Sequence, residues 1–318
     1  MKFILFCPDL FTGGPFAMLQ LNKALKNIGH ECEVVFYDIG EFKFLSDNTL
    51  TVKYKKKPDL SVKNFDYKIC NRVDKKDFII FPEVLLGILI NLRKRGFRNT
   101  VFWWLSWDNA PLDQINYFDS ILNLRASINV FQSFYAQFEA KRYGIEGQIL
   151  SDYTFFNEDL FKEKVIKVND ICYLPNKSRG AESIISDLSK FFSIIPLINM
   201  SQMEVQKNLK RSKFFVDFGH HPGKDRIPRE AAFYDCIPIV RKTGAAKSSK
   251  DIQLNKELKV NIDLLENSEK LKSHINYIDK NRESFLKSMK PYQKTIQNEY
   301  EVFINQVKDF CNACLKRK

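Results

Sequence analysis

Residues 214–240, FFVDFGHHPGKDRIPREAAFYDCIPIV, constrain the fold more than any other stretch of the chain. A short apolar run gives way to a loop dense in glycine and charge, then to a helix opened by Pro228, then to a second apolar run. Two strand-length runs joined through a helix belong to a parallel α/β sheet. The loop and the first helical turn carry His220, His221, Lys224, Asp225, Arg226, Arg229 and Glu230. Open α/β sheets bind ligands where a strand hands over to a helix, and helix N-termini suit phosphate. Lys224, Arg226 and Arg229 supply three cations within six positions beside that helix start. Guanidinium and helix N–H groups together can hold a diphosphate and stabilise its charge as it leaves.

The same alternation runs along the whole chain. Residues 2–7 read as a buried strand, Pro15 opens a helix, Gly29 closes it, and residues 33–37 form a second strand. Gly13 and Gly14 occupy the first strand-to-helix turn; they are either a tight turn alone or a place where backbone approaches a ligand. The spacing is not G-x-G-x-x-G, so the dinucleotide fingerprint is absent. Residues 41–77 are charged and irregular, with a basic run at Lys53, Lys55, Lys56 and Lys57. Strands at 78–81, 100–105, 128–131 and 148–150 complete a first half, with Ser133 capping the helix that ends before Gly144. Glu83 and Asp108 each follow the end of a strand. A second half repeats the order, with strands at 170–174, 194–198 and 214 onward. Helices fill residues 266–290, and Tyr300, Phe303, Val307, Phe310 and Cys314 form a stripe on a terminal helix. The expected architecture is therefore α/β: two doubly wound Rossmann-like domains, 1–155 and 156–290, closed by a helix at 291–318 that packs back across them.

A chain of 318 residues exceeds the usual size of one core. Its net charge of +12 favours anionic partners. Up to residue 155 the chain carries 20 Lys+Arg against 17 Asp+Glu, and beyond it 30 against 21, so the excess sits in the half that holds the opening segment. Seven cysteines, several in apolar runs, point to reduced thiols and a reducing compartment. Cys311 and Cys314 have C-x-x-C spacing without a second pair, and fit better as small apolar residues on a helix than as metal ligands. Residues 1–10 lack a signal-peptide pattern, and the longest apolar run, 78–92, contains Pro82 and Glu83 and is too short to span a bilayer. A cytoplasmic location is expected, with peripheral contact at the inner face of the membrane through the lysine run.

For the chemistry, Glu83 and Asp108 are the candidate bases for an acceptor hydroxyl, and Asp9 competes with them. Trp103 and Trp104 fit a core, whereas Trp107 stands near a loop and could stack on an acceptor. Lys177 and Arg179, after the first strand of the second half, either reach the same phosphates or are solvated. Gly244, after a further strand, offers backbone N–H groups. Glu230 is either a ribose acceptor or simply an acid in a first helical turn. His220 and His221 are half of the four histidines.

Four stretches, two of them overlapping, carry a resemblance. GGPFAMLQLNKALKNIGHECEVV resembles the opening of glycosyltransferases of the GT-B fold, SFYAQFEAKRYGI resembles a helix late in their N-terminal domain, and REAAFYDCIPIV resembles a segment of their donor domain. GHHPGKDRIPREAA is similar to a subgroup associated with bacterial surface polysaccharides of the capsule or O-antigen type. The resemblance implies two domains facing across a cleft, a hexosyl-type transfer from a nucleoside diphosphate-sugar to a glycan or lipid-linked acceptor, and ribose contact by Glu230. Together with the residues read above, the donor-binding set is Gly13, Gly14, Lys177, His220, His221, Lys224, Arg226, Arg229, Glu230 and Gly244, with no cofactor beyond the donor substrate expected. No metal is expected, because D-x-D is absent and the cations can neutralise the diphosphate. Where retaining members carry a second glutamate, eight residues before the first, this chain has Pro222. That role is then missing or passes to Asp225, and retention or inversion stays open. A non-catalytic scaffold of a polysaccharide-assembly complex is the first alternative. A nucleic-acid-binding protein is the second, although basic and aromatic residues are not interleaved on one face.

Overall fold

A computed structural model describes residues 1–10, 12–45, 49–58, 65–112 and 117–317. The chain divides into two compact units: Met1–Asp152 with Glu301–Lys318, and Tyr153–Tyr300.

The first unit contains β1 (Lys2–Cys7), α1 (Gly13–Asn27), β2 (Glu31–Phe36), β3 (Gly40–Phe44), β4 (Leu50–Tyr54), β5 (Lys68–Ile69), β6 (Arg72–Val73) and β7 (Phe78–Pro82). It continues through α2 (Leu86–Lys94), β8 (Thr100–Trp104), α3 (Tyr117–Arg125), β9 (Ile128–Phe131), α4 (Phe134–Lys141) and β10 (Gly147–Ile149). Seven strands form one sheet in the order β10-β9-β8-β7-β1-β2-β5, parallel at every pairing. Both faces are covered, so β1, β7 and β8 are apolar almost end to end. Trp103 and Trp104 are fully buried. Their indole N–H groups donate to Leu150 O at 2.9 Å and Asn129 Oδ1 at 3.0 Å, which satisfies the polar atom that each carries inside. Trp107 stacks on Trp104 with ring centroids 4.8 Å apart and is 8% exposed, so it belongs to the core and is not an acceptor platform.

The described residues between 41 and 77 hold regular strands where the sequence suggested none. β3, β4 and β6 form a small antiparallel sheet, and β5 adds to the edge of the large one. Leu50 and Val52 point inward while Lys53 points out. The lysines expected to mark a loop therefore lie on and just beyond the exposed side of a two-residue alternation. Lys55 pairs with Glu41 at 3.7 Å and Lys56 with Asp9 at 3.5 Å.

The second unit holds α5 (Glu158–Lys162), β11 (Asn169–Tyr173), α6 (Glu182–Leu188), β12 (Ile194–Pro196), α7 (Gln202–Arg211), β13 (Ser212–Asp217), α8 (Arg226–Phe233) and β14 (Ile237–Arg241). It ends with β15 (Lys259–Val260), α9 (Ile262–Leu265), α10 (Ser268–Lys280) and α11 (Arg282–Gln297). Five strands run in the order β12-β11-β13-β14-β15, all parallel. Phe215, Val216, Ile237 and Ile239 are fully buried at its centre. Each such side chain contributes roughly 1.5–3 kcal/mol.

The last helix, α12 (Glu299–Leu315), starts in the second unit and from Glu301 belongs to the first. Phe310 packs on Phe3 at 5.7 Å, and Arg317 donates to Ala126 O at 2.6 Å. The stripe read from the sequence is buried at Phe303, Val307, Phe310 and Cys314, while Tyr300 is half exposed. The boundary expected at residue 290 falls inside α11, which continues through Pro291. All seven cysteines are free and buried, and no helix among the described residues is long and apolar enough to cross a membrane.

Candidate functional site

The second unit gathers its charged residues at the C-terminal edge of its sheet. Three loops meet there: the one after β11 with Lys177, the one after β13 with residues 218–225, and the one after β14 with residues 242–247. They touch backbone to backbone. A Cβ on Gly219 would stand 1.7 Å from Lys177 O, and one on Gly244 would stand 1.9 Å from His221 O. Gly244 also has φ +49°, in the left-handed region that glycine enters at least cost. Ala245 N–H donates to His221 O at 2.8 Å, and Thr243 Oγ1 to Gly219 O at 3.4 Å.

Asp225 is the hub of this edge. Its Oδ1 accepts from Lys177 Nζ at 2.6 Å, and its Oδ2 lies 2.9 Å from His221 Nδ1. Burial alone would depress the His221 imidazolium, but the hydrogen bond to Asp225 and the charge of Asp217 outweigh it and raise its pKa. Burial likewise pushes Asp217 up to about 6, against the opposing charges of His221 and Lys177. For Asp225 burial acts upward too, yet His221 and Lys177 hold its carboxyl below the ordinary range. Ligand atoms of Asp217, His221 and Asp225 lie within 4.8 Å of one another, a donor set that could hold a divalent ion. Lys177 already supplies a positive charge at that point.

Because its carboxylate is drawn to Lys177 and His221, Asp225 stands at the N-cap of α8 without capping it. The Asp225 side chain therefore satisfies none of the first N–H groups of this helix. Pro228 is the third residue of the helix and not its first, still within the turn where a missing N–H costs nothing. One turn in, Glu230 is fully buried. Arg226 Nε stands 3.1 Å from its Oε1 as an ion pair, and the side chain of Gln206 offers the carboxyl a hydrogen bond. Burial pushes its carboxyl up to about 7, with the Arg226 and Arg229 charges opposing.

Two expected phosphate ligands are engaged elsewhere. Arg229 is fully buried; its Nη1 donates to Glu299 Oε2 at 2.9 Å, its Nε to Asp225 O and its Nη2 to Lys224 O. Lys224 Nζ donates to Glu299 Oε1 at 2.9 Å. A guanidinium without solvent needs a carboxylate, and Glu299, 70 positions away, provides it. Sequence reasoning missed Glu299 because nothing around it marks the contact. Of the remaining cations, Lys177 is partly exposed beside Asp225, Arg226 borders Glu230, and Arg179 and His220 are exposed.

In the first unit the strand ends bring a different set together. Glu83 follows β7, is 5% exposed, and has one carboxylate oxygen without a partner. Burial pushes its carboxyl up to about 8, although the N–H groups of Glu83 and Leu105 donate to it. Asp108 is exposed and accepts from Tyr135 Oη on both oxygens, at 3.0 and 3.1 Å. Gly13 and Gly14 lie within the first turn of α1, which begins before Pro15. Among the described residues, a Cβ on Gly13 would meet nothing within 4 Å, and one on Gly14 only Leu105 Cδ1 at 3.7 Å. The fold itself does not require glycine at either position.

No family model and no curated protein matches the chain. Solved structures do. A sucrose-phosphate synthase from Thermosynechococcus elongatus superposes with a TM-score of 0.70 at 10% identity, each chain covered in full. An α,α-trehalose-phosphate synthase (UDP-forming) from Burkholderia vietnamiensis gives 0.60 at 10% identity, again over both whole chains. A trehalose-6-phosphate structure from E. coli bound with UDP-2-fluoro glucose gives 0.62 at 12% identity, over 97% of this chain and 99% of that one.

The chain has the GT-B fold.

In a GT-B frame the two Rossmann-like units are accounted for. Pro222 is part of the loop between β13 and α8, half-buried, so no carboxylate stands at that position. The acid that the loop does hold inside is Asp225, tied to Lys177 and His221.

Proposed function

We propose that this protein is a glycosyltransferase that moves a sugar from a nucleoside diphosphate-sugar to a glycan or lipid-linked acceptor in surface-polysaccharide synthesis. The observation that carries the reading is Glu230: a fully buried carboxylate paired with Arg226 at 3.1 Å, one turn into a helix whose N-cap side chain does not cap it. A nucleotide fits both, since ribose hydroxyls donate to a carboxylate and phosphate oxygens accept from helix N–H groups. The E. coli structure with a bound UDP-sugar supports a donor of this class. Lys177 and Arg226 are the side-chain cations assigned to the diphosphate. His220 and the N–H groups near Gly244 border it, while His221, Lys224 and Arg229 hold the loop. Charge on the leaving diphosphate is met by these groups without a metal. Acceptor activation falls to Glu83, whose raised pKa suits proton transfer near neutral pH, with Asp108 as the second carboxylate.

Titration calorimetry with UDP, GDP, ADP and dTDP tests the donor site. One of them is expected to bind, and Glu230→Ala to weaken it by about 10- to 100-fold, the worth of charge-assisted hydrogen bonds. Affinity for inorganic pyrophosphate should barely change in that variant, whereas Arg226→Ala should weaken both ligands. Equal nucleotide binding by wild type and Glu230→Ala would remove the ribose assignment. Absence of binding by all four would remove the donor site. Turnover of a sugar donor then separates an enzyme from a non-catalytic scaffold.

A further inference from the structure

Glu299 accepts three donors at 6% exposure: Lys224 Nζ at 2.9 Å, Arg229 Nη1 at 2.9 Å and the Thr154 N–H at 3.0 Å. Burial would raise its carboxyl, but the charges of Arg229 and Lys224 outweigh that and lower it, so it is ionised at neutral pH. Two of its donors belong to the loop and helix of the donor site. The third belongs to the segment by which the chain enters the second unit.

The chain passes between its two units twice, after Asp152 and after Tyr300. Thr154 stands two residues past the first passage, and Glu299 immediately precedes Tyr300 at the second. One buried carboxylate therefore fastens the backbone near both passages to the donor-site loop. Arg229 extends the connection, because it also donates to the carbonyls of Lys224 and Asp225 and so fixes the backbone where α8 begins. Asp225 in turn orients Lys177 and His221.

We propose that Glu299 is a positioning residue that links occupancy of the donor site to the backbone at both chain passages. The inference rests on the donor-site reading given above. A diphosphate at the start of α8 favours the one arrangement of residues 220–226 in which the helix N–H groups converge. That is the arrangement in which Lys224 and Arg229 meet Glu299, and in which the Thr154 amide is bonded. A ligand that stabilises one end of such a link stabilises the other equally.

Hydrogen exchange of the full chain, with and without whichever of the four diphosphates binds, tests this. In wild type the ligand should slow exchange at residues 153–155 and 299–301 by about threefold or more. Glu299→Gln should retain nucleotide binding to within about tenfold and lose that distant protection. Glu301→Gln, at an exposed acid nearby, should keep it. Lys224→Met leaves the Arg229–Glu299 pair in place and cuts the loop end of the link, so it should reduce the protection even if Glu299→Gln does not fold. Protection that survives in Glu299→Gln or is unchanged in Lys224→Met overturns the link. So does a diphosphate that binds wild type without slowing exchange at Thr154. Absence of diphosphate binding overturns both the link and the donor site beneath it.

Discussion

Glu83 and Glu230 are both carboxyls that the protein has moved out of water, and burial raises both toward neutrality. If Glu83 removes the proton from the acceptor, it works only when ionised. The rate should therefore climb as pH rises through about 8 and then level off. Glu83→Gln should lose about 10²- to 10⁴-fold in kcat and flatten that limb of the pH–rate profile, measured as initial rates of donor turnover. Asp108→Asn, if Asp108 only orients the acceptor, should raise KM and leave the limb in place. The sequence already exposed Glu230, because a charged loop running into EAAFYDCIPIV marks the helix that carries it, although that helix begins at Arg226 and so places Glu230 one turn in and not in the first turn. It did not reveal that Lys224 and Arg229 are turned to Glu299, since a contact across 70 positions leaves no local periodicity. Cations counted along a sequence say how much charge a loop owns, and only packing says how much of it a ligand can reach.

At the scale of elements, the donor edge depends on how closely three loops approach. Gly219→Ala would drive a Cβ into the Lys177 carbonyl, so the loops must separate. An overpacking cost of about 1–3 kcal/mol is expected, seen as a lower denaturation midpoint together with weaker nucleotide binding. Gly13→Ala is the contrast: none of the described residues stands within 4 Å of the added methyl, and chemical denaturation should show stability within about 0.5 kcal/mol of wild type. The strands of both large sheets were legible because parallel strands buried on two faces are short apolar blocks, as in FIIFP and IPIVR. β3 and β4 were not. Their inward residues alternate with lysine and glutamate, and a dense charge run masks a period of two over five residues.

For the whole molecule, the two units are not built alike. The second is one continuous stretch, Tyr153–Tyr300, whereas the first draws its last helix from the end of the chain. Deleting residues 301–318 removes Phe303, Val307, Phe310 and Cys314, all at most 1% exposed. At roughly 1.5–3 kcal/mol for each large side chain, the loss is comparable to a typical domain's stability. Hydrogen exchange of the truncated chain should show lost protection in β1 and β7 while β13 and β14 keep theirs. The same discontinuity sets an order for biosynthesis. The first 152 residues leave the ribosome without the helix that completes their core, and they wait while the entire second unit is translated. At about 5–20 residues per second that delay is roughly seven to thirty seconds, during which Phe3 lacks its contact with Phe310. A nascent chain of this design relies on whatever shields Phe3 until its final helix arrives.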